Sequence, residues 1–431
     1  MKRIFKMGLS FTLVLIIMAG TSLAGLNGST DSCVTIKDDL SLVVPCADFS
    51  GNKFKFNLLP YKNPQTPFDP NLYWMLDLGS FGTSLIDSYD KDIPINATPP
   101  APQANCTSVS STLKIQIEQT LNKDAALAAE LLDPEKISVV TVGTGTPMGT
   151  SRVQPCIAVF VNGKFLLFDA GDGAMRAMES QGLPMINISD IFITHFHSDH
   201  MADIGEVISR SWILGRNTPL TIYGGVNINR IVEGFNLVYT LDEAYRIAHH
   251  GETVFSPGTM AANTYTIETL SENGVAVYDQ NGVRILAYKV DHSPVTPSFA
   301  FRIEYANKSV VISGDTINTP GLRNAVNGAD MVVFDVMNKS FIEAQECAFR
   351  NLGEERTATL MKDIRAYHID VNDVAMVAKN GGVRKLILIH QTPAVDIEAM
   401  EKSLFLDPIA SLYSGEVVVA KDGDIFTINA K

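Results

Sequence analysis

Thr194-His195-Phe196-His197-Ser198-Asp199-His200 sets three imidazoles and a carboxylate within six residues, at the end of an apolar run at 191–194 that reads as a strand. A buried core does not take so dense a group, because polar side chains without partners are costly to remove from water. A solvated polar turn is the plain alternative, but four potential ligands in His-x-His-x-Asp-His order make a metal-binding turn the better reading. Imidazole and carboxylate are the ligands that suit zinc and related divalent cations.

Four donors cannot serve two ions and leave coordination positions open, so further ligands must come from elsewhere. The chain has eight histidines. Outside the motif, His292 stands in Val290-Asp291-His292-Ser293-Pro294, His368 in Tyr367-His368-Ile369-Asp370, and His390 in Ile387-Leu388-Ile389-His390-Gln391-Thr392-Pro393. Each adjoins an expected strand or helix end. Asp315, in Ile312-Ser313-Gly314-Asp315-Thr316, follows an apolar strand, where one carboxylate can bridge two metals through its two oxygens.

Around these positions the chain reads as α/β. Strands are expected at 137–142, 156–161, 165–168, 284–290, 298–303, 309–312, 331–334 and 385–389, alternating with Gly-rich turns and helices. Asn162-Gly163 marks a tight hairpin between two of them. Residues 113–136 read as a helical linker, rich in Leu, Ala, Lys and Glu before Pro134. Residues 31–112 read as a small β-rich domain with a proline-rich exit and no assigned role.

The N-terminus reads as an export signal over 1–24. Lys2, Arg3 and Lys6 precede a short apolar run at 9–18, and Ser22-Leu23-Ala24 offers a cleavage site before Gly25. The run is shorter than the roughly 20 residues that span a bilayer, so a periplasmic or secreted protein without a lasting membrane anchor is expected. Export permits disulfides. One bridge among Cys33, Cys46 and Cys106 would have three pairings, between which the spacing does not choose. Cys156 and Cys347, in apolar segments, are expected as buried free thiols. A formal charge of −13 disfavours a phosphate-backbone partner, since nucleic-acid binders usually present a basic patch.

The His-x-His-x-Asp-His motif, followed by His292, Ser313-Gly314-Asp315-Thr316 and His390, resembles the metallo-β-lactamase fold hydrolases, and within them the ribonuclease Z-like branch. Gly143-Thr144-Gly145-Thr146-Pro147 resembles the first strand-loop of that family and Phe168-Asp169-Ala170-Gly171-Asp172-Gly173 the second, so the resemblance covers about residues 137–431. It implies a four-layer αββα sandwich of two β-sheets with helices outside. It implies two divalent ions, zinc first with manganese or iron as alternatives. His195, His197 and His292 would hold one ion, and Asp199, His200 and His390 the other. Asp315 would bridge them, a feature that β-lactamases of this fold lack.

The same resemblance gives His368 the role of proton donor to the leaving group, with Asp335 where the branch has a glutamate. Asp199 would also orient the attacking hydroxide. Asp169 reads as a carboxylate that ties the metal-binding loops together, and His249-His250 as a possible edge of a lid. Members that process tRNA carry a long arm between the positions of His292 and Asp315, here only 23 apart (315 − 292). The expected activity is therefore hydrolysis of a small phosphodiester or sulfate ester, as in exported phosphodiesterase-like and arylsulfatase-like members, with a homodimer as the usual assembly of the branch. The alternatives are a ribonuclease Z-type endonuclease and a non-catalytic metal-binding or recognition protein.

Overall fold

The central strand-forming segments, such as 156–161, 165–168 and 331–337, are apolar on both faces, as expected when a strand is covered on both sides. The computed structural model describes residues 110–147 and 151–430, together with the backbone of four short strands nearer the N-terminus. The export signal, Cys33, Cys46, Cys106 and most of the β-rich segment at 31–112 lie outside the described residues. The four strands, β1 (Thr35–Ile36), β2 (Leu42–Val43), β3 (Lys55–Pro60) and β4 (Trp74–Asp77), pair antiparallel in chain order. They belong to a first unit, Met1–Pro94, and Ile95–Lys431 forms a second.

The second unit begins with α1 (Ser111–Leu131), largely exposed except where Leu127, Leu131 and Leu132 meet the core. Its first sheet contains β5 (Lys136–Gly143), β6 (Cys156–Val161), β7 (Lys164–Phe168), β8 (Ile188–Phe192), β9 (Thr221–Gly224) and β10 (Asn263–Thr266). The second sheet contains β11 (Val275–Gln280), β12 (Val283–His292), β13 (Val295–Tyr305), β14 (Lys308–Ile312), β15 (Met331–Met337), β16 (Lys385–Thr392) and β17 (Glu416–Val419). The last strand, β18 (Asp424–Asn429), returns to the first sheet beside β5, so each sheet has seven strands.

Alternation within the strands builds the layers. Ile137, Val139, Ile157, Val159, Phe168 and Phe192 of the first sheet meet Ile285, Phe301, Ile303, Val310, Ile312 and Ile387 of the second in one buried cluster. The outward residues of the first sheet pack under α2 (Ala174–Ser180), α4 (Ile204–Ile213) and the start of α5 (Ile228–His250), with the single turn α3 (Ser198–Met201) between α2 and α4. Those of the second sheet pack under α6 (Pro320–Val326) and, past the hairpin α7 (Lys339–Asn351) and α8 (Glu355–Ile364), under α9 (Val371–Gly381). The result is the expected αββα sandwich. Phe168 and Phe192 stack at 4.9 Å between centroids, and Phe192 stacks on Tyr223 at 4.5 Å, in the layer between the sheets. Burying each such ring contributes roughly 1.5–3 kcal/mol.

One expectation is corrected. Cys347 is exposed on α7, because it falls on the face of the helix opposite Ile342, which is the buried residue of that helix. Cys156 is a buried free thiol on β6.

Candidate metal centre

The carboxyl ends of β7, β8, β12, β14, β15 and β16 meet along one edge of the sandwich, and the residues singled out above lie just beyond them. β8 ends at Phe192 and leads into the His195–His200 turn; His292 ends β12, Asp315 follows β14, and Asp335 and His390 lie in β15 and β16. Two close approaches hold these loops. A Cβ on Gly171 would sit 2.1 Å from the carbonyl of Asp199, and one on Gly314 would meet the Phe299 carbonyl at 2.8 Å. Gly314 also adopts φ 57°, a conformation open to glycine.

The donors fall into overlapping groups. His195, His197, His292 and Asp315 present ligand atoms within 4.8 Å of one another, as do Asp199, His200 and His390. His197 Nδ1 lies 3.1 Å from His195 Nε2 and 3.2 Å from His292 Nε2. Nitrogens bound at about 2.0–2.1 Å to one tetrahedral ion stand about 3.3 Å apart. Asp315 Oδ2 is central to both groups, 3.3 Å from His200 Nε2, 3.5 Å from His390 Nε2, 3.9 Å from His292 Nε2 and 4.0 Å from His195 Nε2. His390 Nε2 also lies 3.2 Å from Asp199 Oδ2.

Hydrogen-bond partners outside the centre decide which nitrogen of each ring carries its proton. Asp169 accepts from the Thr194 N–H and hydroxyl, each at 2.8 Å, and lies 2.7 Å from His200 Nδ1. The Thr194 hydroxyl is thereby committed as a donor, so at 3.0 Å from His195 Nδ1 its oxygen accepts that ring's proton. His292 Nδ1 donates to the Tyr367 carbonyl at 2.9 Å. With Nδ1 engaged outside the centre, His195, His200 and His292 all present Nε2 inward. His200 Nε2 is buried and has no hydrogen-bond partner among the described residues. Inward imidazole nitrogens gathered on a buried carboxylate fit divalent cations, and outer partners of this kind orient metal-binding imidazoles.

Burial and charge act together on the metal-free chain. Burial holds the His292 imidazole down at about 4 despite Asp315, and holds His195 well below the usual histidine value. Burial also works against protonated His200, but Asp315 and Asp169 outweigh it and raise that ring well above its usual value. Asp315 would be raised by burial, yet the surrounding imidazoles, His390 and His200 foremost, hold it well below the carboxylate range.

His368 is buried beside this centre, stacked on His390 at 5.4 Å between ring centroids, with Nδ1 3.2 Å from Asp335 Oδ2. Asp335 in turn receives a 3.4 Å hydrogen bond from the Ser313 hydroxyl and donates its own N–H to that oxygen at 3.1 Å. The shorter side chain thus still reaches the histidine. Burial lowers His368 to about 4, below the ordinary histidine range that its residue type suggests, and burial raises Asp335 well above its own. Asp169 proves to be the tie between the second strand-loop and the histidine turn. His249 and His250 are exposed in the last turn of α5, outside the groups of candidate ligands. Thr194, the Tyr367 carbonyl and Ser313 carry roles that residue type alone did not announce.

A family profile described as "Anti-Pycsar protein Apyc1" matches residues 137–391. Ribonuclease Z of Mycobacterium marinum is 32% identical over 263 residues, 60% of this chain and 88% of that protein. Ribonuclease Z of Mycobacterium bovis is 31% identical over 290 residues, 66% of this chain and 96% of that protein. Among solved structures, human short-form tRNase Z (ELAC1) aligns with a TM-score of 0.48 and 19% identity, over 67% of this chain and 98% of that one.

Proposed function

This chain belongs to the family described as Anti-Pycsar protein Apyc1 and is a ribonuclease Z-like hydrolase of the metallo-β-lactamase fold; from that premise we propose that it is a dinuclear metal-dependent phosphodiesterase acting on small esters. The observation that carries the proposal is the convergence of His195, His197 and His292 on one side of Asp315 and of Asp199, His200 and His390 on the other. Each trio would hold one ion and Asp315 would touch both. When bound, divalent metal supplies an activated water and neutralises charge on the phosphoryl oxygens.

The protein's own residues supply orientation and a proton. Asp199 directs Oδ2 at His390, and its second oxygen would orient the attacking water. His368 holds Nδ1 3.2 Å from Asp335 Oδ2 and 3.9 Å from Asp315 Oδ2, and Nε2 would be the nitrogen offered to the departing oxygen. Burial disfavours charge on either partner, so the pair holds one proton between them. Transfer from Asp335 to Nδ1 as Nε2 protonates the departing oxygen delivers that proton without leaving a buried ion pair. General-acid steps of this kind contribute typically about 10²–10⁴-fold.

The alternative reading, a ribonuclease Z-type endonuclease, is supported by the names of the relatives. Against it, the chain from His292 to Asp315 is taken up by the β13–β14 hairpin and its short turns, which leaves no arm for gripping a folded RNA. Sulfate esters share the tetrahedral geometry and remain a second substrate class. Export through the N-terminal signal is part of the proposal. The test is metal content together with turnover of bis(p-nitrophenyl) phosphate, p-nitrophenyl sulfate and a precursor tRNA. About two ions per chain with preferred cleavage of the diester supports the reading. Preferred cleavage of the tRNA 3′ end selects the endonuclease, and a fully metallated but inert protein overturns both.

A further inference from the structure

His390 sits irregularly in its strand. β15 and β16 pair in register up to Asp335 opposite Ile389, then resume with Val336 opposite Gln391, which leaves His390 as an extra residue with φ 47°. Few side chains other than glycine adopt that left-handed backbone. Such a bulge redirects a side chain at the end of a ladder, and here it turns the imidazole toward Asp199 and Asp315. The displaced N–H of His390 donates to the carbonyl of Thr144 at 2.9 Å.

Thr144 directly follows β5, and its backbone is held by a side chain from elsewhere in the chain. That side chain is Asp422, in the turn between β17 and β18. Its Oδ1 accepts the Thr144 N–H at 2.9 Å and the Thr144 hydroxyl at 2.8 Å, and its Oδ2 accepts the Val153 N–H at 2.7 Å. Gly145 N–H donates to the Val153 carbonyl at 2.7 Å, so one carboxylate brackets both ends of the segment. Arg152 reinforces the arrangement from the other side of the bulge. Its guanidinium donates to Gln391 Oε1 at 3.3 Å, the Val395 carbonyl at 3.0 Å and Glu401 at 2.8 Å.

We propose that Asp422 is a positioning residue for the second metal: it fixes the Thr144 carbonyl, which holds the His390 bulge and so aims that ligand. The role rests on the dinuclear reading above. Asp422 touches no reacting atom. Partners of this outer kind typically change metal affinity about 10–100-fold when removed. The effect should fall on the ion held by Asp199, His200 and His390 and spare the one held by His195, His197 and His292.

The experiment strips the full chain of metal and titrates it with Co²⁺ against a chelator, following the visible absorption of each site. It compares wild type, Asp422→Ala, Thr144→Val, His390→Ala and the double variant Asp422→Ala/His390→Ala. Asp422→Ala should weaken the second equivalent about 10–100-fold and leave the first unchanged, with a smaller effect in Thr144→Val. In the His390→Ala background the same change should add almost nothing, as expected for two residues acting through one ligand. If Asp422→Ala does not fold, Thr144→Val, which keeps the backbone bond and loses only the hydroxyl, carries the test. Two equivalents at wild-type affinity in these variants, or an undiminished effect in the His390→Ala background, would overturn the role of Asp422 alone. A wild-type chain that takes up fewer than two ions would overturn the dinuclear reading and this role with it.

Discussion

In the proposed mechanism His368 and Asp335 share a proton because both are buried, and that dependence makes the pair testable. His368→Ala should keep its metal and its KM but lose about 10²–10⁴-fold in kcat on a diester with an alkyl leaving group. With p-nitrophenolate, which departs without protonation, the loss should be much smaller; equal losses on both substrates would remove His368 from the proton-transfer step. Asp169 differs in kind. Its two oxygens satisfy the Thr194 N–H and hydroxyl and meet His200 Nδ1, all buried. Asp169→Ala strands those groups and should cost about 3–5 kcal/mol in urea unfolding, the range for breaking one side of a buried charged pair. It should also weaken the metal at His200. The residue types of both positions could be read in the chain, but the histidine's depressed protonation could not, because burial is a property of the assembled site.

Among the elements, the histidine turn and the hairpin at Asn162-Gly163 were legible. Asn162 and Gly163 have φ 47° and 73°, the left-handed pair that such a two-residue turn needs. In the second unit five strands, β9, β10, β11, β17 and β18, were not anticipated. β10 reads Asn-Thr-Tyr-Thr and lies exposed at a sheet edge, so neither alternation nor apolar content betrays it. β18 reaches the first sheet only by pairing with β5, nearly the whole unit away in sequence. Arg216 shows the same non-local logic. This buried guanidinium donates to the Ser211 hydroxyl and to the carbonyls of Thr218, Thr259, Ile208 and Met260, joining the end of α4 to two loops. Arg216→Leu leaves several buried acceptors unpaired, each worth about 1–3 kcal/mol, and should lower Tm without reducing metal uptake. Metal loss in that variant would show that α4 and the centre are more tightly coupled than the bonds imply.

At the scale of the whole molecule, the centre joins the two sheets, so metal should stabilise the fold as a unit. An ion at 100 times its Kd adds about 2.7 kcal/mol per site, and chelation should lower Tm accordingly. The metal-free chain should also be acid-sensitive. Burial lowers His195, His197, His292 and His368, whose stabilising effect is complete above about 6.5 and is lost as pH falls towards 4. His200, His390, Asp169 and Asp335 are raised and act with the opposite sign, and the expectation is that the four lowered rings outweigh them. Denaturant midpoints of the chelated protein between pH 7 and 4 check this; a midpoint rising towards acid would contradict it. The amino-acid order alone established the ligand types, their spacing and the alternating strands that bury a two-sheet core, because these depend on local pattern and side-chain chemistry. Tertiary structure alone decided which nitrogen of each imidazole faces inward, how His390 is turned into the site, and that Thr144 and Asp422 stand behind it. Those outcomes depend on hydrogen bonds between residues as many as 278 positions apart, and on the loss of water around them.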